Sequence, residues 1–91
     1  MRRRAQPRDP YAAIVGSVVR THRQNQGISL QAMAEAMGMS TSGWSRVETG
    51  TTVMVVAQLR KAARRLHLEP YEIMRVADAL WETCERAAAP R

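Results

Sequence analysis

The sequence predicts an all-α domain of five short helices. Three observations carry that expectation. Apolar residues recur at 3.6-residue spacing along most of the chain, glycines fall where one such stripe gives way to the next, and no strand pair with a turn signal is present. With 91 residues the chain has room for one hydrophobic core. A domain this short leaves much of its surface uncovered, a condition that a partner subunit relieves.

Residues 1–10, MRRRAQPRDP, hold two prolines and almost nothing apolar, and are expected to form a flexible basic arm. The spacing turns helical at Tyr11, and the helix-turn-helix body is assigned to residues 11–68. Tyr11, Ile14, Val15, Val18 and Val19 lie on one stripe, which gives way to Arg23-Gln24-Asn25-Gln26 before Gly27, a helix-stopping residue. Ser29 suits an N-cap, with Leu30, Met33, Ala34 and Met37 on the inner face of a two-turn second helix ending at Gly38. Ser40 or Thr41 caps a third helix with Trp44 and Val47 inward and Gly50 at its close. Val53-Met54-Val55-Val56, taken alone, suits a short strand. Because Val56, Leu59, Ala62, Ala63 and Leu66 continue at helical spacing, a fourth helix starting near Val53 is expected instead. Pro70 fits the first turn of a fifth helix running to about Arg86, within a C-terminal segment, 69–91, assigned to dimerisation. Connections of two to four residues are expected, with a core around Ile14, Val18, Met33, Trp44 and Leu59.

Charge separates along the chain. Through Leu66, eleven basic side chains face three acidic ones, a net +8; from His67 onward three face five, a net −2. A basic body points to a polyanion, nucleic acid before an anionic membrane surface, and an acidic end points to protein. One cysteine excludes an internal disulfide, and no Cys/His cluster has zinc-ligand spacing. His22 and His67 are therefore expected as ordinary surface or core residues, and Cys84 as a small packed one. No cofactor is implied, and no run reaches membrane-span length. No glycine-rich phosphate loop, paired carboxylates or nucleophile–base pair points to catalysis. The expected location is the cytoplasm.

Two short helices joined through a glycine-containing turn, Leu30 to Met37 and Thr41 to Thr49, make a helix-turn-helix. Ala34 must be small where the next helix crosses, and Trp44 and Val47 must wedge that helix onto the core. Ser40, Thr41, Ser42, Ser45 and Arg46 lie on its outward side, where hydroxyls and an arginine suit groove and phosphate contact.

From about Ile14 to Leu68, roughly 55 of 91 residues, the chain resembles the Xre/Cro type of helix-turn-helix regulator, with the lambda-repressor-like fold. The matching segments are VVRTHRQNQGISLQAMAEAMGMSTSGWSRVETG and, more loosely, LRKAARRLHLEP. The resemblance implies a five-helix domain that binds double-stranded DNA, usually as a dimer, with Ser40, Thr41, Ser42, Ser45 and Arg46 reading bases and Ser29 meeting phosphate. It also implies a partly buried Arg23–Glu48 ion pair. Three departures stand out. Leu30 replaces a frequent glutamine, leaving Gln31 as its substitute. Trp44 is larger than the usual Ile or Val. The loop after Gly50, often basic with a proline, is Thr51-Thr52-Val53-Met54, which leaves hydroxyls and backbone amides for phosphate.

Arg2, Arg3 and Arg4 suit either a DNA backbone or a solvated tail. Arg60, Lys61, Arg64 and Arg65 form one basic edge, open to the same two readings. Ile73, Met74, Ala77, Leu80, Trp81 and Cys84 make an apolar stripe expected to hold a homodimer, with Val53, Met54 and Val55 as the competing interface. The function implied is a sequence-specific transcriptional regulator, a repressor at a near-palindromic operator. The alternative is an antitoxin-like or other interaction module that binds a protein partner, with autoregulatory DNA binding.

Overall fold

Capping chemistry sets most of the helix ends. A computed structural model describes residues 9–88, in the order α1 (Pro10–Asn25), α2 (Leu30–Met37), α3 (Thr41–Thr49), α4 (Val56–Arg65) and α5 (Pro70–Ala88). No strand occurs among the described residues. The Asp9 carboxylate accepts from the amides of Tyr11 and Ala12 at 2.9 and 3.3 Å, and Pro10 takes the first helical position, where a missing N–H costs nothing. Asp9 is therefore the cap of α1 and Pro10 its first residue, where the sequence pattern places both in the arm; Arg2, Arg3, Arg4 and Arg8 of that arm lie outside the described residues. The Ser29 hydroxyl accepts from Ala32 N and the Ser40 hydroxyl from Gly43 N, each at 3.0 Å. At Gly38, φ is +68°, and the amides of Gly38 and Met39 return to Glu35 and Ala34 carbonyls at 3.0 and 2.9 Å, ending α2 in a left-handed cap.

The expectation of a helix from Val53 is overturned. Val53, Met54 and Val55 are neither helix nor strand. Val53 and Val55 face solvent while Met54 is half-buried between them, the alternation of an extended segment. The helix begins at Val56, where the Gln58 side chain turns back to accept from Val55 N at 2.9 Å. The α3–α4 connection therefore spans residues 50–55, longer than expected.

Val18, Val19, Met33, Ala34, Trp44, Val47, Leu66 and Ile73 form the heart of the core. Ile14 and Leu59, expected at its centre, are only half-buried at its edge. The α1–α3 crossing is too close for side chains at two positions. A Cβ on Gly16 would stand 2.4 Å from the Val47 carbonyl oxygen, and one on Gly50 2.4 Å from Ala13 Cα. Helix α5 returns along α1. The Tyr11 hydroxyl donates to Asp78 at 3.0 Å, and the Tyr11 and Trp81 rings meet edge to face at 5.5 Å, a favoured aromatic geometry. Burial first, and then the Asp78 carboxylate, raise the Tyr11 hydroxyl above its ordinary pKa.

This packing revises the dimerisation stripe. Ile73 and Ala77 are fully covered by their own chain and cannot face a partner. Met74 is half-buried against the core and Trp81 half-buried. Leu80 is exposed, as is Cys84, which is not the packed residue expected.

Candidate nucleic-acid interface

Rigidity under the α2–α3 pair comes from one buried polar network. Arg23 Nε and Nη2 donate to the two Glu48 carboxylate oxygens at 2.8 and 3.1 Å, and Nη1 donates to the Ile28 carbonyl at 2.8 Å. The Trp44 indole N–H donates to Glu48 Oε2 at 2.6 Å. The Arg23 and Glu48 side chains are 10% and 3% exposed, so these charges sit in low dielectric and depend on one another. The bonds tie α1, the turn before α2, and α3 into a single body. Trp44 is thus both an apolar wedge and a donor, one helical turn before its acceptor. Ala34 is fully buried in the same core.

Above this base the expected site residues divide into groups. Thr41, Ser42 and Arg46 on α3 and Ser40 at its cap are all exposed, giving the helix a polar outer face with one cation. Ser29 and Gln31 are exposed at the start of α2. The Ser29 and Ser40 hydroxyls accept bonds as caps, which leaves each hydroxyl hydrogen free to donate outward. Thr52 is exposed and its amide donates to the Arg46 carbonyl at 3.1 Å. Thr51 is half-buried, its hydroxyl 3.2 Å from that of Thr49. Ser45 does not join the outer face fully. It is half-buried and lines an open cleft of about 140 Å³ with Arg20, Arg23, Leu30, Glu48 and Thr49.

No motif in the sequence marks Arg20 or Thr49 as part of this cleft. The available signal was that Arg20 precedes Arg23 by three residues, on the same side of α1. On α4, Arg60, Lys61 and Arg64 are exposed and Arg65 half-buried. The Lys61 ammonium lies 3.9 Å from where a Gly38 Cβ would sit, so it reaches the α2–α3 turn. Arg60 and Arg64 border a different cleft, beside His67, Glu69 and Glu72. An apolar cleft of about 200 Å³ opens between Tyr11, Val15, Val47, Met54, Leu59 and Met74, rimmed by Val53 and Val56. Val56 is 84% exposed. Among the described residues no cluster of three or more His, Cys, Asp or Glu is arranged to hold a metal, and no helix is long and apolar enough to cross a membrane.

The profile of the helix-turn-helix domain family matches residues 14–76. A crystal structure of the clp gene regulator ClgR from Corynebacterium glutamicum is similar with a TM-score of 0.77 at 24% identity, covering 90% of each chain. A second crystal structure of that regulator gives a TM-score of 0.73 at 22% identity, covering 80% of this chain and 94% of the other. At these identities the likeness is one of fold. No curated protein matches the chain.

Proposed function

The chain belongs to the helix-turn-helix domain family, and we propose that it is a sequence-specific, DNA-binding transcriptional regulator. It acts as a cytoplasmic repressor that occludes a near-palindromic operator as a homodimer. The observation that carries this reading is the exposed polar face of α3, Ser40, Thr41, Ser42 and Arg46, held on a buried Arg23–Glu48–Trp44 network. An arginine fork matches the O6/N7 edge of guanine, and short hydroxyls reach base edges or phosphate according to depth. Ser45 contributes from the flank of this face. Ser29 and Gln31 lie at the amino end of α2, where amides and hydroxyls suit phosphate. Thr51 and Thr52 supply hydroxyls beyond α3, and the basic arm adds charge without reading sequence.

One short recognition helix reads few base pairs, so a two-fold pair reading half-sites about 34–36 Å apart supplies the specificity. The α5 surface supports that pairing through exposed Leu80 and Cys84, flanked by Met74 and Trp81. Selection from a random duplex pool is the test. Enrichment of a near-palindrome with half-sites one helical turn apart is expected; failure of any sequence to enrich would overturn the reading. A second reading, a module whose main task is to bind a protein partner, is favoured by the apolar cleft beside Val53 and Val56. Stoichiometric co-purification of a neighbouring gene's product, lost in Val56→Asp, would support it.

A further inference from the structure

We infer that Arg20 on α1, with Ser45 and Thr49 on α3, forms a clamp for one DNA phosphate per half-site at the flank of the recognition helix. The inference rests on the DNA-binding reading and extends it to a helix outside the helix-turn-helix unit.

The three side chains line one open cleft of about 140 Å³. Arg20 and Thr49 are exposed, so their polar ends are accessible from solvent. The charge balance of the cleft favours an anion. Glu48, its one carboxylate, receives three donor bonds from Arg23 and Trp44 at 2.6–3.1 Å, and Arg23 is the cation that neutralises it. Arg20 is then the uncompensated charge. Among the described residues no carboxylate lies within ion-pair distance of it. Beside that cation stand the Ser45 hydroxyl and the Thr49 hydroxyl, which donates to the Arg46 carbonyl at 3.2 Å and turns outward when a phosphate is bound; a guanidinium with adjacent hydroxyls suits tetrahedral phosphate oxygens. Leu30, the first residue of α2, lines the same cleft, so the cleft sits where all three helices α1, α2 and α3 approach one another. The cleft lies alongside the outer face that Ser42 and Arg46 present, at the edge where a backbone passes a helix lying in a groove. Its contribution is register: a fixed phosphate sets how far α3 enters before Arg46 meets a base edge.

The test is a salt titration of duplex binding with wild type, Arg20→Ala and Arg20→Lys, followed by single methylphosphonate replacements along the selected duplex. Each phosphate contact contributes about 0.9 to the log–log salt slope. Between 50 and 200 mM salt, wild type should therefore lose about 3.5-fold more affinity per half-site than Arg20→Ala, with Arg20→Lys restoring the slope. One methylphosphonate position per half-site should weaken wild type and leave Arg20→Ala unaffected. Thr49→Val should lower affinity by the same factor on selected and on scrambled duplex. An unchanged slope in Arg20→Ala, or undiminished sensitivity of that variant at every phosphate, overturns the clamp while the DNA-binding reading stands. Failure of wild type to bind any duplex at 50 mM salt overturns both. Since Arg20 is exposed, unchanged helical circular dichroism is expected for both Arg20 variants.

Discussion

Replacing Glu48 by alanine tests the network that holds α3. The change strands the Arg23 guanidinium, whose side chain is 10% exposed, with the Ile28 carbonyl as its one remaining hydrogen-bond partner. It also removes the acceptor of the Trp44 indole N–H. Breaking a buried pair from one side costs ~3–5 kcal/mol, whereas an exposed pair is worth at most about 1 kcal/mol. A domain of this size has a total stability of roughly 5–14 kcal/mol. Each kcal/mol shifts the midpoint by roughly 4–8 °C, so Glu48→Ala should lower Tm by about 12–40 °C. Circular dichroism melting of wild type beside the variant measures this directly. The double variant Arg23→Met/Glu48→Leu should melt above Glu48→Ala and below wild type, because it removes the stranded charge but leaves the indole donor and the Ile28 carbonyl without their partners, at ~1–3 kcal/mol for a buried unpaired group. A fall below about 4 °C for Glu48→Ala would refute the reasoning, since it corresponds to a solvated pair.

Gly16→Ala puts a Cβ 2.4 Å from the Val47 carbonyl oxygen, forcing α1 from α3, and should cost about 1–3 kcal/mol in urea denaturation; an unchanged midpoint would mean that the crossing yields freely. His67→Gly removes a side chain from a residue with φ of 59° and should raise Tm by a few °C, because only glycine adopts that conformation without penalty. Burial and the Asp78 carboxylate raise the Tyr11 hydroxyl above the ordinary tyrosine pKa, so its protonated form is favoured in the folded chain. That contribution is complete below the ordinary tyrosine pKa and is lost as pH rises through the folded value, so Tyr11→Phe should flatten the alkaline fall in Tm; an unaltered alkaline fall in that variant would count against it. Light scattering should find a dimer that Leu80→Glu dissociates; a dimer lost in Met54→Glu alone would move the interface to the residue 50–55 loop.

Much of the fold is legible in the sequence because its helix ends carry explicit chemistry. Ser29 and Ser40 cap as side-chain acceptors, and Gly27, Gly38 and Gly50 take left-handed conformations that other residues rarely adopt. The start of α4 lacks such a mark: Val55 offers no acceptor, Gln58 caps from inside the helix, and the valines before it continue the apolar pattern without turning inward. In α5 one stripe serves two surfaces. Spacing groups Ile73 with Leu80, but only packing separates the fully buried residue from the one left in solvent. The candidate site divides in the same way. The outer residues of α3 follow from helical periodicity, and Arg23 and Glu48 from resemblance. The indole bond of Trp44 and the cleft at Arg20 arise where separate helices meet, which no local pattern encodes. Gly16 carries a signal of its own, a glycine inside a helical stretch, where it costs ~1 kcal/mol unless close packing requires it.

In the proposed function α3 reads sequence through its outer face. Fluorescence anisotropy at one fixed salt concentration, with the selected duplex and a scrambled duplex of equal length, measures it most directly. Wild type should bind the selected duplex at least ~10³-fold more tightly. Arg46→Ala should lose ~1–3 kcal/mol on that duplex, about 5- to 150-fold, with no comparable loss on the scrambled one. Equal affinity of wild type for the two duplexes, or an equal loss in Arg46→Ala on both, would contradict the claim and leave α3 a phosphate-binding surface.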